Sequence, residues 1–364
     1  MDIPDGELER LVACAWKARA TDLLLIAESP PLVRLDGQMT IITGAPIQDE
    51  PSIRKHLSDL LPASKLTELD ADGEIDFTVS WAGTARLRGN AYLQRGLPTV
   101  ALRIIPDQIP TFDDLSVPHV VRHLASFAQG LILFTGPTGS GKSTSMAAML
   151  DWINANRACH ILTIEDPIEY VHRRKLAAVS QREVGTDTRT FAKALRAALR
   201  EDPDVVLVGE MRDPESIAIT LTLAETGHLV LSTLHTNDAS QALDRIVDVF
   251  DADRQAQVRL QLASSLLGVI AQRLVPRLGG GVTAAFEVLV GTPAVRNLIR
   301  EGKTRQIRNA LTLSQTEGMQ TLEMSLNSLL RSGAISYEDA VARAVVPDDI
   351  ERPLPVAPTG RRGR

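Results

Sequence analysis

The sequence predicts an α/β protein: a small N-terminal α+β unit followed by a larger domain built on a central, mainly parallel sheet. Three observations carry this expectation. From residue 130 onward, short apolar runs alternate with segments of helical spacing, the signature of strands buried on both faces and joined by helices. Before residue 106 the elements are shorter and read as strands and hairpins. Between the two regions, PDQIPTFDDLSVP (106–118) holds three prolines in thirteen residues, as a linker would. The expected boundaries are 1–106 for the N-terminal domain, 107–118 for the linker, 119–350 for the second domain with a helical C-terminal part, and 351–364 for a disordered tail.

In the first unit, ELERLVACAWKARA has helical spacing, and TDLLLIAE, LVRLDGQMTII, EIDFTVSW, ARLRGNAYLQ and TVALRIIP read as strands, with one or two helices in all. In the second, strands are expected at 130–135, 160–165, 204–210 and 228–235. Helices are expected at 142–156, 190–201 and 214–227. At 364 residues and 44% apolar content the chain is long enough for two cores. A net charge of −6, and only three Trp, three Tyr and seven Phe, argue against a surface that grips nucleic acid. The acidic, polar start MDIPDGELER is unlike a signal sequence, and the best apolar stretch, LASSLLGVIA, is half the length of a membrane span. Two isolated cysteines, Cys14 and Cys159, suggest a reducing compartment and leave no four-cysteine zinc site.

In a parallel sheet, ligands sit at the carboxyl ends of the strands, so residues just past each apolar run gather in space. The first such end is GPTGSGKST. Gly136, Pro137, Thr138, Gly139, Ser140, Gly141, Lys142 and Ser143 fit GxxxxGK[ST] directly between a strand and a helix, with Thr144 next; a chance match in such a chain is on the order of 1%. Backbone N–H groups of such a loop curl around phosphate oxygens, Lys142 faces the terminal phosphates and Ser143 can ligate magnesium. ATP and Mg2+ are the ligands this pattern takes.

The second end is IEDPIE, with Glu165, Asp166 and Glu169; the third is VGEMRD, with Asp204 opening the strand and Glu210 just past it. Acids at strand ends neighbouring the phosphate loop suit magnesium coordination and water activation. The bland alternative is a helix cap or a solvated acid, and Asp213 before Pro214 reads as such a cap. Glu210 is the candidate that orients attacking water, with Glu165 beside it. The fourth end is GHLVLSTLHTND. His235 could be a core histidine or a general base; further ligands for a metal are wanting. Its position past a strand in the same sheet favours a hydrogen-bond partner to the terminal phosphate, or to Glu210, that changes partner when the phosphate leaves. His228 lies before the strand and reads as structural.

GPTGSGKST, ILTIEDPIEY, DVVLVGEMRDPES and TGHLVLSTLHTND, in this order, resemble the secretion-type hexameric ATPases, whose Asp box, Walker B and His box correspond to the last three. RLRGNAYLQRGLPTVALRIIP, RLQLASSLLGVIAQRLVPR and AVRNLIREGKTRQI with GMQTLEMSL are similar to the twitching-motility, pilus-retraction branch. The resemblance covers nearly the whole chain. It implies a PAS-like N-terminal domain and a RecA-like P-loop domain, a homohexamer, and a cytoplasmic ATPase recruited to an inner-membrane platform protein of a type IV pilus. It also implies that Arg88 and Arg103 reach phosphates, since guanidinium groups stabilise a transferring phosphoryl group. Two departures touch the N-terminal domain: Leu24 stands where the family has histidine, and Gly89 where a β-branched residue is usual. An accessory retraction ATPase, an extension or type II secretion ATPase, and a RecA-like nucleic-acid motor are the alternatives.

Overall fold

The computed structural model describes residues 6–35, 38–81, 84–106 and 108–352, so most of the tail expected at 351–364 lies outside the described residues. The chain divides into two compact units, before and after the Ile109–Pro110 bond.

The first unit runs α1 (Glu7–Lys17), β1 (Asp22–Ile26), β2 (Leu32–Leu35), β3 (Gln38–Ile41), α2 (Glu50–Leu60), α3 (Ala63–Asp72), β4 (Glu74–Trp81), β5 (Ala85–Gln94) and β6 (Leu97–Pro106). Its strands form one antiparallel sheet in the order β3-β2-β1-β6-β5-β4. The sequence suggests one or two helices here; the described residues hold three. Asp49 caps α2 by accepting the Ser52 N–H, and Pro62 separates α2 from α3. The core gathers the inward residues of α1 with Leu23, Leu25, Leu87, Val100 and Leu102, all fully buried. Gly89 has a physical reason to lack a side chain. It faces Phe77 across β4 and β5, and a Cβ there would lie 2.2 Å from the Phe77 ring, which fills the space itself.

The second unit continues with α4 (His119–Leu124), β7 (Gly130–Thr135), α5 (Lys142–Asn156), β8 (His160–Glu165), β9 (Ala178–Glu183), α6 (Phe191–Ala198), β10 (Val205–Val208), α7 (Pro214–Glu225) and β11 (Leu229–Leu234). Then come α8 (Ala239–Asp248), α9 (Ala252–Ser265), β12 (Leu266–Pro276), β13 (Val282–Val290), α10 (Pro293–Arg300), α11 (Ile307–Leu313), α12 (Leu322–Arg331) and α13 (Tyr337–Arg343). Seven strands lie in the order β13-β12-β7-β11-β10-β8-β9, parallel throughout except for β13. The apolar runs alternate between two faces, as buried strands must. Leu131, Leu133, Val206, Val208 and Val230 pack with helices α6 to α11, while Ile132, Phe134, Val205, Leu207 and Leu231 pack against α4 and α5. No described helix is long and apolar enough to cross a membrane.

The strand order corrects one expectation. The strands carrying Glu210 and Glu165 are not neighbours of the strand that opens the phosphate loop. β11, ending before His235, lies between β7 and β10, and β8 is one further out. Thus the histidine stands nearest the loop and the two glutamates follow in turn.

Candidate functional site

The glycine loop is held by sterics from the neighbouring strand. Gly136 has φ 145°, and a Cβ on it would lie 2.4 Å from the carbonyl oxygen of Gln272 on β12. Gly141, at φ 85°, lets the chain enter α5 through the left-handed region. Gln272 also fixes the helix, because its Oε1 accepts the Ser145 hydroxyl at 2.9 Å. Ser140 is buried, whereas Pro137, Thr138 and Gly139 are exposed at the tip of the turn. Lys142 is only 7% exposed, and its ammonium donates to the carbonyls of Gly136 (2.7 Å) and Pro137 (3.1 Å). Burial lowers its pKa, against the opposing pull of Glu210 and Glu169. Ser143 and Thr144 are half-buried in the first turn of α5, and the Thr144 hydroxyl meets the Tyr170 hydroxyl at 3.0 Å.

Hydroxyl side chains at the strand ends tie the next positions together. Thr135, last in β7, binds both the N–H (3.1 Å) and the hydroxyl (2.7 Å) of Thr236, just past β11. Thr233 on β11 donates to the carbonyl of Gly209 at 2.5 Å, between β10 and Glu210. His235 and Glu210 therefore emerge side by side. His235 Nε2 lies 3.4 Å from Glu210 Oε1, and Arg212 Nη2 lies 2.8 Å from Glu210 Oε2. Burial would raise the Glu210 pKa, but Arg212 and His235 together outweigh it and hold the carboxyl below its ordinary value. Glu165, at the end of β8, accepts the Thr163 hydroxyl at 2.7 Å and the Gln181 amide at 3.2 Å. Burial pushes its pKa up despite both bonds.

Two other acids, Asp204 and Asp213, serve backbone groups away from the phosphate loop, while Asp166 and Glu169 act electrostatically on Arg212 and Lys142. Asp204 lies at the amino end of β10, where it accepts the His160 N–H at 2.8 Å. Asp213 caps α7, accepting the N–H (2.9 Å) and hydroxyl (2.7 Å) of Ser216. Asp166 is exposed. His228 sits at the amino end of β11 with Nδ1 2.9 Å from the Leu223 carbonyl, a structural contact at the end of α7. In the first unit Arg88 and Arg103 are cross-strand partners on β5 and β6, so both exposed guanidinium groups leave the same face of that sheet. Arg103 donates to Asp22 at 3.0 Å.

Sequence reasoning passed over Arg212, Gln272 and Tyr170. Arg212 and Tyr170 stand inside motifs already singled out. Gln272 was detectable as the polar residue closing the apolar run LLGVIA.

The donor set fits a nucleotide with magnesium: a glycine turn leading into a helix start, one lysine, a hydroxyl in the first turn of that helix and carboxylates across the crevice. Magnesium takes oxygen donors and keeps several waters, so it needs few ligands from the chain.

Comparison with known proteins agrees with this geometry. Residues 71–322 match the family model described as type II/IV secretion system protein. The type IV pilus retraction ATPase PilT of Pseudomonas aeruginosa is 46% identical over 343 residues, covering 94% of this chain and 99% of that protein. A twitching motility protein of Neisseria gonorrhoeae is 45% identical over 320 residues, covering 88% and 85%. The crystal structure of the pilus retraction motor PilT with bound ADP superposes with a TM-score of 0.87 at 44% identity, over 95% of this chain and 99% of that one. The glycine loop, the Glu210–His235 pair and a family match extending through both units together identify the chain as a member of the type II/IV secretion system protein family.

Proposed function

We propose that the protein is a cytoplasmic ATPase, six copies of which form a ring, and that its ATP hydrolysis powers retraction of a type IV pilus through an inner-membrane platform protein. One observation carries the hydrolytic part: Glu210 and His235 stand 3.4 Å apart at adjacent strand ends, beside the strand that opens into the loop of Lys142. Relatives at 45–46% identity over most of their length, named for pilus retraction and twitching motility, support the choice of task.

The N–H groups from Gly136 to Thr144 bind the polyphosphate, and Lys142 turns from the carbonyls of Gly136 and Pro137 to phosphate oxygens. Ser143 holds magnesium, which when bound offsets the charge of the phosphates. Glu210, kept ionised by Arg212 and His235, accepts a hydrogen bond from water and aims it along the line of displacement. Glu165 is the second carboxylate ordering water in the crevice. His235 is shared between Glu210 and the terminal phosphate, and release of that phosphate leaves it with Glu210 alone, which couples hydrolysis to the β11–α8 connection. Arg88 and Arg103 of the N-terminal domain supply positive charge to the phosphates in the assembled ring.

Purified Glu210→Gln protein is the direct test. It is expected to bind ATP with magnesium while turnover falls by roughly 100-fold or more, the usual contribution of a positioned base. Unimpaired turnover would remove Glu210 from this role.

A further inference from the structure

β13 carries a carboxylate in an otherwise apolar run, FEVLV. Glu287 is 3% exposed and shares a sheet face with Leu289, which packs with α8, and with Ala285, which packs with α12 and α13. Its Oε1 accepts the backbone N–H of Ala239, the first residue of α8, at 2.9 Å. That helix already has a cap: Asp238 accepts the Gln241 N–H at 2.8 Å. Two carboxylates thus serve one helix start, and one comes from a buried strand 48 residues away. The other charges facing Glu287 are Asp238, Glu323 and Arg308, and Arg308 is itself bound to Glu323 (3.0 Å) and Asp349 (3.2 Å).

The position of that bond matters because His235 lies only four residues before Ala239. The connection between β11 and α8 is short and irregular. Thr236 is fixed to Thr135, Ala239 to Glu287, and the Ser240 hydroxyl to the Thr304 carbonyl at 3.2 Å. His235 stands at the head of this clamped segment, and its imidazole, 44% exposed, has its ion-pair contact with Glu210 at a loose 3.4 Å. Its placement therefore depends on where the backbone of 236–239 is held.

We infer that Glu287 is a positioning residue for ATP hydrolysis: by holding the first amide of α8 it fixes the His235–Ala239 segment, and with it the imidazole, against Glu210. This rests on the role proposed above for His235.

The test is a double-variant cycle on the full chain, reading kcat and KM for ATP, with thermal melting as a check of folding. Glu287→Ala and Glu287→Leu both remove the acceptor, and Leu refills the buried space should Ala prove unstable. Either is expected to lower kcat about tenfold with KM changed less than about twofold, because a misplaced group affects the transition state more than substrate binding. Glu287→Gln keeps an acceptor oxygen and is expected to recover most of the lost turnover. In a His235→Ala background, Glu287→Leu is expected to cost less than about a further twofold, since its route of action is gone. The same loss in both backgrounds, or unchanged kcat in Glu287→Leu, overturns the inference while leaving the role of His235 intact. Unchanged kcat in His235→Ala removes both.

Discussion

Glu210 sits against two basic side chains, and the balance among the three sets its protonation. Arg212 is the stronger of the two influences that lower its pKa. Removing Arg212 leaves the burial that pushes the carboxyl up and weakens what pulls it down. Arg212→Ala is therefore expected to move the acid limb of the pH–kcat profile to higher pH, with Arg212→Lys in between; steady-state ATPase assays from about pH 5 to 8 read this. The sign for stability follows from the same shift. A depressed carboxyl pKa contributes stability above the ordinary carboxylate range that is lost as pH falls through the folded value. At the loop, Gly136→Ala would set a methyl against the Gln272 carbonyl at a backbone angle unsuited to alanine, so loss of nucleotide binding is expected by equilibrium titration. Single residues were legible where a motif names them, as with Lys142, Glu210 and His235. Arg212, Gln272 and Tyr170 act through partners that only the folded sheet supplies.

The buried Glu287 on β13, bound to the start of α8, makes this part of the second unit sensitive to pH. Burial first, then the neighbouring Asp238 and Glu323, push the Glu287 pKa up to about 7, against the Ala239 N–H and Arg308. A raised carboxyl pKa means that the folded state holds the proton more tightly. Its stability contribution is full below about pH 4.5 and is lost as pH rises through 7. The shift from 4.5 to about 7 corresponds to roughly 3 kcal/mol as an order of magnitude. Glu287→Gln is expected to raise the melting temperature relative to the native chain at about pH 8 and to change it little at about pH 5; a Tm that falls equally at both would contradict this assignment. Among the elements, the strands around the site were legible because short apolar runs alternate there with segments of helical spacing, the pattern of a parallel sheet covered on both faces. β9 was not, since AVSQRE is a half-exposed edge strand without an apolar run. LASSLLGVIA hid a helix-to-strand change at Leu266, because both elements are buried there and share one composition. The order of strands, which sets His235 between the loop and Glu210, is a property of crossovers and left no trace in the sequence.

At the scale of the whole molecule, hydrolysis must become movement of something other than the ATPase. The second unit carries the glycine loop, Glu210 and His235; the first presents Arg88 and Arg103 on one face of its sheet. Under the proposed function both arginines supply charge to the phosphates, so Arg88→Ala and Arg103→Ala are expected to lower kcat by about tenfold or more with both units still folded, measured as ATPase activity beside thermal melting. An ATPase assay alone would serve a retraction motor, an extension motor and a secretion motor equally well. The separating measurement is made in cells: delete the gene and score surface pili together with twitching. A retraction motor is expected to leave cells with abundant pili that do not retract and without twitching. Loss of surface pili on deletion would contradict retraction and assign the protein to extension.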